Sequence, residues 1–103
     1  MGQSRDPGTV CAVVRAETKP GVDEEVEALL RDFSHQVRME EPGCLNYVVT
    51  RVMGSRTHFA VHAHFDCMDA FNEHADTDHI KRVMPRLKTL LATPVSMEIF
   101  FPV

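Results

Sequence analysis

The chain lacks several features by which classes of protein are commonly recognised. No apolar run approaches the ~20 residues that span a bilayer, and the N-terminus has no apolar core of a signal peptide. Its 11 basic residues are spread among 15 acidic ones without forming a basic stripe. Neither a phosphate-cradling glycine loop nor an internal repeat is present. We therefore predict a protein with no membrane partner and no nucleic-acid partner.

Cysteine is scarce, and its spacing indicates neither a disulfide framework nor a zinc site. Cys11, Cys44 and Cys67 are odd in number, lie far apart and form no C-x-x-C pair. A disulfide framework or a zinc site is therefore not expected. This pattern fits a reducing compartment, and we predict a cytoplasmic location.

Length and composition are those of one small domain. The chain has 103 residues, of which 44% are apolar and 25% are charged, as in ordinary globular proteins. We interpret residues 1–9 as a flexible polar N-terminal arm and residues 10–103 as a single folded domain.

The first half of the chain alternates a strand pattern with a helix pattern. Residues 10–18 are rich in β-branched side chains and end at Lys19-Pro20-Gly21. Asp23 is a plausible N-cap for the helix that follows, and Pro42-Gly43 ends that helix. One apolar helical stripe consists of Val26, Leu29, Leu30, Phe33 and Val37.

The second half adds a hairpin, a divided helix and a last strand. Residues 45–53 and 58–66 form two strands joined by a turn at Gly54-Ser55-Arg56. Helical patterns follow at 68–75 and after Thr77 or Asp78, with Pro85 inside the second pattern, and a strand is predicted at 95–101. The order β-α-β-β-α-β predicts an α+β, ferredoxin-like fold: a four-stranded antiparallel sheet with helices on one face.

The third strand separates two faces of that sheet. Phe59, Val61, Ala63 and Phe65 alternate with polar residues and suit the face under the helices. The other face mixes apolar residues with histidines, and a bare mixed face predicts a homodimer. His62 and His64 on that face have two open interpretations: two ligands of a metal site that needs a third ligand, or the polar lining of the dimer interface.

Three segments of the chain resemble one known family. They are Lys19-Pro20-Gly21 before an acidic helix start, the run Glu41-Pro42-Gly43-Cys44-Leu45-Asn46-Tyr47, and the stretch from Asp69 to His79. In order and spacing they resemble the antibiotic biosynthesis monooxygenase family of small dimeric α+β barrels, including proteins of the quinol monooxygenase type.

The resemblance implies a fold and a chemistry. It implies a dimeric α/β barrel that oxidises a quinol or polyphenol with molecular oxygen, without metal or cofactor. The protein would remove a phenolic proton, stabilise the anion and exclude water, while the substrate supplies the electrons.

The resemblance also suggests residues for the site. His74 is the first choice for general base and His79 the second, although a structural role at the helix junction is an alternative for either. Tyr47, the only tyrosine, would orient the substrate through its hydroxyl. The substrate cavity would be lined by Val14, Val61, Ala63, Phe65, Phe71 and Met84.

The chain departs from the family pattern at two positions. Relatives often carry a glutamate on the third strand, where this chain has Ala63. The heme-degrading branch has its iron ligand near the position of Met84, so heme is not expected. Two further functions stay open: an isomerase or degradation enzyme for small carbonyl compounds, and a non-catalytic dimeric ligand-binding module.

Overall fold

A computed structural model describes residues 8–103. Most of the predicted N-terminal arm therefore lies outside the described residues. The described chain runs through β1 (Val10–Glu17), α1 (Asp23–Glu40), β2 (Cys44–Arg51), β3 (His58–Phe65), α2 (Met68–His74), α3 (Asp78–Leu90) and β4 (Ser96–Phe100).

The predicted ferredoxin-like fold is confirmed. The four strands form one antiparallel sheet in the order β2-β3-β1-β4, so β1 and β3 are central and β2 and β4 are edges. The sheet is open, because its two edge strands do not meet.

The faces of β3 separate as its alternation predicts. Phe59, Val61, Ala63 and Phe65 are buried, whereas His62 is exposed. Burying one face while solvating the other fixes the register of the strand, since a one-residue slip would exchange the two sets. The hairpin turn between β2 and β3 contains Gly54 at a φ of 81°, a conformation that glycine adopts without steric cost.

The start of α1 differs from the prediction. Val22 is the N-cap and makes no side-chain capping bond, while Asp23 is the first helical residue. The Asp23 carboxylate instead accepts a bond of 3.3 Å from Arg51 Nη1 on β2. The acidic residues of this first turn still complement the positive end of the helix dipole.

The helix α3 begins with a regular cap and passes through a proline. Thr77 is its N-cap, and Thr77 Oγ1 accepts a bond of 3.3 Å from the Ile80 amide. Pro85 lies inside the helix, which nevertheless continues to Leu90. The apolar face of α3 supplies the buried Leu87 and Leu90.

The core between the helices and the sheet consists of two clusters. One centres on α1, β2, β3 and α2 and contains Ala12, Phe33, Val37, Tyr47, Val61, Ala63, Phe65 and Phe71. The other lies under α3 and contains Val26, Leu30, Phe59, Leu87, Leu90 and Leu91.

The edge strand β4 is exposed along its whole length. Met97 and Ile99 lie on the helix side of the sheet, opposite Val14 and Ala12 of β1, yet they are 53% and 37% exposed. Phe100, on the other side, is 45% exposed. Within residues 8–103, the helices are too short or too polar to cross a membrane.

Candidate active site

A buried carboxylate joins two buried histidines. The Nδ1 atom of His74 lies 2.9 Å and 3.0 Å from the two carboxylate oxygens of Glu41, and Nε2 of His79 lies 2.5 Å from Oε2. The Glu41 side chain is 10% exposed, and His74 and His79 are 8% and 5% exposed as residues. We call these three residues the Glu41 cluster.

The C-terminal end of α1 places the carboxylate. Glu41 is the C-cap residue, with extended backbone, and its amide donates a bond of 2.9 Å to the Val37 carbonyl. The helix stops here because Pro42 disfavours the helical conformation for the residue before it. At this extended residue the Glu41 side chain contacts His74 of α2 and His79 of α3.

A close approach of backbone holds this corner against α2. A β-carbon at Gly43 would lie 2.6 Å from the Ala70 β-carbon, which is closer than two such atoms can come. The Gly43 carbonyl accepts a bond of 2.9 Å from the Asp66 amide at the end of β3. Glycine at position 43 therefore allows the Glu41 corner to pack against the helix that carries His74.

The two histidines come from either side of a helix junction. His74 is the last residue of α2, and His79 is the second residue of α3. Thr77 connects them, since its hydroxyl donates a bond of 3.0 Å to the His74 carbonyl and accepts one from the α3 amide described above. The short connection directs both imidazoles toward one carboxylate.

The hydrogen bonds assign a tautomer to each ring. An ionised carboxylate can only accept, so His74 donates from Nδ1–H and His79 from Nε2–H. In the neutral imidazoles, His74 Nε2 and His79 Nδ1 then carry the lone pairs. The nearest acidic group to His79 Nδ1 is Glu40 Oε1 at 3.8 Å, beyond hydrogen-bond distance. This carboxylate–imidazole pairing is the arrangement in which a histidine acts as a general base.

Aromatic rings surround the His74 imidazole. Its ring centre lies 5.1 Å from that of Phe65, 5.8 Å from that of Tyr47 and 5.9 Å from that of Phe33. Such packing keeps water from the imidazole. It also lowers the local dielectric, so the interaction of each imidazole with the Glu41 carboxylate is strengthened.

Tyr47 is nearly fully buried beside the cluster. Its residue is 7% exposed, and burial raises the pKa of its phenol well above the usual value, with further contributions from Cys44 and Glu41. Within residues 8–103, no side chain or backbone group forms a hydrogen bond with its hydroxyl. The phenol therefore stays protonated and holds a free donor.

A small pocket reaches the carboxylate from solvent. Its volume is about 130 Å³, and its walls include Glu41, Gly43, Cys44 and Thr77. This space corresponds to about four water molecules at ~30 Å³ each. It admits water but is smaller than the 300–1,000 Å³ typical of small-molecule sites.

Burial and then the nearby Glu41 charge raise the pKa of the Cys44 thiol, which makes a thiolate unfavourable here.

The six residues predicted to line a cavity occupy two environments. Val61, Ala63, Phe65 and Phe71 are 9% exposed or less, and they pack together in the first core cluster. Val14 and Met84 are partly buried at the margins of the first and second clusters respectively. Partly exposed apolar surface is thus available where Val14 lies opposite Met97 on β4.

The histidine pair on the open face of the sheet lies apart from the Glu41 cluster. His62 and His64 are exposed, and they lie opposite Val13 and Cys11 of the neighbouring strand β1. Within the described part of the chain, no three side chains of His, Cys, Asp or Glu are arranged to hold a metal ion.

Sequence reasoning did not identify Glu41 as a site residue. The family resemblance points to a glutamate on the third strand, where this chain has Ala63. The buried carboxylate in the structure instead belongs to Glu41, at the end of α1. A signal was present, because Glu41 belongs to the Glu41-Pro42-Gly43-Cys44 motif and precedes a helix-ending proline. Only the chain fold brings it to His74, which is 33 residues away.

The fold and this cluster define a class of protein: a small ferredoxin-like α+β domain whose helices cover a carboxylate, two imidazoles and one buried phenol. The sequence model described as antibiotic biosynthesis monooxygenase matches residues 9–86. The chain therefore belongs to the antibiotic biosynthesis monooxygenase family.

Solved structures share the fold of this chain. A Caulobacter crescentus protein, provisionally named an antibiotic biosynthesis monooxygenase, is 27% identical with a TM-score of 0.88, over 93% of this chain and 91% of that chain. A conserved Methanosarcina mazei protein is 19% identical with a TM-score of 0.87, over 93% and 94% of the two chains. PA3566 of Pseudomonas aeruginosa is 22% identical with a TM-score of 0.85, over 93% and 95%. None of the functionally curated proteins compared with the chain matches it.

Proposed function

We propose that this chain is a cofactor-independent monooxygenase that oxidises a quinol or polyphenol with molecular oxygen. The family and the name of the Caulobacter crescentus relative support a monooxygenase-like role. The single observation that carries the proposal is the Glu41 cluster, because a carboxylate-bonded imidazole beside a buried phenol suits proton removal from a phenolic substrate.

In the proposed reaction His74 is the general base. Glu41 accepts the Nδ1–H bond of His74 and so leaves the other ring nitrogen to take the phenolic proton. Tyr47 donates its free hydroxyl to an oxygen of the substrate, and His79 holds the same Glu41 carboxylate in place through its Nε2–H bond. The resulting quinol anion gives its electrons to oxygen. One oxygen atom enters the ring and the other leaves as water, so the quinol becomes a hydroxylated quinone.

The substrate would lie against the six predicted lining residues, entering from the half-exposed side near Val14 and Met84. Because the pocket beside Glu41 is small, we infer that a second copy completes the chamber. The open sheet face supports a homodimer, since Val48 and Phe100 are 42% and 45% exposed there beside His62 and His64. The cytoplasmic location stays a prediction.

Oxygen uptake tests the activity. The protein is mixed with a panel of hydroquinones and naphthohydroquinones, and uptake above the rate of uncatalysed oxidation is measured. His74→Gln should reduce catalysed uptake about 10²–10⁴-fold, the usual contribution of a general base. His35→Gln is the matched control, because His35 is exposed on α1. Equal rates for His74→Gln and wild type would exclude His74 as the base.

A non-catalytic ligand-binding module is the second candidate, and alanine at position 63, where relatives often carry a glutamate, favours it. Silence across the panel together with saturable binding of an aromatic compound would support it. An isomerase of small carbonyl compounds would use the same imidazoles, and proton exchange on α-hydroxyketones, followed by NMR, would reveal it.

A further inference from the structure

The helix α2 covers His74, and the site beneath it is closed. His74 is 8% exposed as a residue, and Phe71 packs edge-on against Phe65 with 5.6 Å between the ring centres. The pocket of about 130 Å³ has Ala70 and Glu73 of α2 among its walls, but not His74. A substrate ring therefore has no room beside the His74 imidazole unless a packed element moves.

The two ends of α2 are held more weakly than those of α1. The first and last amide bonds of α2, from Phe71 to Cys67 and from Ala75 to Phe71, measure 3.3 Å and 3.2 Å. The equivalent bonds of α1 measure 3.0 Å and 2.9 Å, the usual length. The N-cap residue Cys67 has extended backbone but makes no side-chain capping bond. So short a helix without a cap is marginal by itself.

Few side chains connect α2 to the rest of the fold. Of its seven residues only Phe71 and His74 are buried, whereas α1 buries six residues. Within residues 8–103, His74 is the one α2 side chain that hydrogen-bonds to another element, and its acceptor is Glu41. The packing of one aromatic ring and one bond to a carboxylate thus hold most of this helix in place.

The segment that contains α2 lies between two fixed points. Before it, the Asp66 amide donates a bond of 2.9 Å to the Gly43 carbonyl. After it, Thr77 caps α3 through its side chain. A weakly held segment between fixed ends can unwind locally while the rest of the domain stays folded.

We propose that residues 67–76 unwind as one unit and act as a lid on His74. Opening withdraws Phe71 from Phe65 and makes room for the ring of the substrate. Closing restores the bond between His74 and Glu41, so the base is complete only when the lid is closed. The motion belongs to the free protein, whereas its role in catalysis rests on the proposed function.

Native-state hydrogen exchange of the whole protein, followed by NMR at increasing urea below the unfolding transition, tests the motion. The bonded amides from Phe71 to Ala75 should share one protection factor, at least about tenfold lower than that of amides in the middle of α1. Their exchange should depend little on urea, because local opening exposes little surface. The lid is overturned if these amides exchange only through global unfolding, or if protection rises steadily from the helix ends inward, as fraying alone predicts.

A serine at position 67 should keep the lid closed for longer. Cys67→Ser places a capping oxygen on extended N-cap backbone, so exchange of the α2 amides should slow about fivefold, the effect of a good N-cap. Cys67→Ala is the matched control, because alanine has no capping oxygen, and it should not slow this exchange. Circular dichroism of both variants should match wild type. Equal exchange rates in the two variants would show that α2 does not unwind and would refute the proposal.

Oxygen uptake separates the lid from the reaction itself. With a hydroquinone that the wild type oxidises, Cys67→Ser should lower kcat/KM about fivefold, since the open state that accepts substrate is populated less. Cys67→Ala should not lower it. An unchanged kcat/KM together with slowed exchange would overturn the role of the lid in admitting substrate. If the wild type oxidises no hydroquinone, the proposed function fails, and the exchange measurements still decide whether the lid exists.

Discussion

Replacing Glu41 by alanine should destabilise the protein strongly for a residue that lies in a loop. The substitution removes the acceptor for His74 Nδ1–H and for His79 Nε2–H, and both imidazoles are more than nine-tenths buried. Each buried donor left without a partner costs about 1–3 kcal/mol, so the pair costs about 2–6 kcal/mol. Water can enter the small pocket beside Glu41 and satisfy one donor, which favours the lower half of that range.

Two further variants separate this cost from a general effect of charge. Glu41→Gln keeps one carbonyl oxygen for one imidazole, and the second ring can change its tautomer, so the loss should be about 1–3 kcal/mol. Glu40→Ala removes a neighbouring carboxylate that is 57% exposed and lies 3.8 Å from His79, so it should change stability by less than about 0.5 kcal/mol.

Urea unfolding followed by circular dichroism measures all three variants at one pH. A small domain loses about 1–3 kcal/mol of stability per molar urea, so these differences move the midpoint measurably. The urea concentration at the midpoint should be highest for Glu40→Ala, lower for Glu41→Gln and lowest for Glu41→Ala. If Glu41→Ala unfolds at the same urea concentration as Glu40→Ala, the cluster does not hold the helix junction together, and our account of the site fails.

Three other predictions follow from the same packing. Tyr47 is the only tyrosine and the chain has no tryptophan, so absorbance at 295 nm should show no phenolate near pH 10, where a free phenol is half ionised. Because burial raises the pKa of Tyr47, its contribution to stability is fully present below pH ~10 and is lost as the pH rises further. A phenolate signal that is half complete near pH 10 in the folded protein would contradict this prediction. Gly43→Ala should lower the stability measured by thermal unfolding by about 1–3 kcal/mol, because the new β-carbon clashes with Ala70. Adding Ala70→Gly should recover part of that loss, whereas Ala70→Gly by itself should not stabilise the protein. Phe65→Ala, at a residue 1% exposed, should cost about 3–5 kcal/mol in urea unfolding; a loss below 1 kcal/mol would show that the first core cluster is loosely packed.

Local patterns were sufficient for the fold. The two-residue alternation of β3 and the helical stripe of α1 identify elements whose bounds agree with the structure within one or two residues. Each pattern depends only on which side chains must leave water, and that information lies in neighbouring residues. The cap of α1 was missed because Asp23 pairs with Arg51, a residue of another strand.

The candidate site was suggested only in part for the same physical reason. His74, His79 and Tyr47 were suggested by a family resemblance, and the structure places all three close to one another, while their roles stay predictions. Glu41 was quoted as a motif residue but given no role, because its partners come from α2 and α3 and no local pattern records that contact.

The amino-acid sequence by itself therefore determined the order of strands and helices and the buried face of the sheet, and it suggested two imidazoles as candidates for the site. The tertiary structure alone decided which carboxylate those imidazoles share. Burial preferences act between residues close in the chain, whereas a hydrogen bond between Glu41 and His74 exists only after the helices have packed.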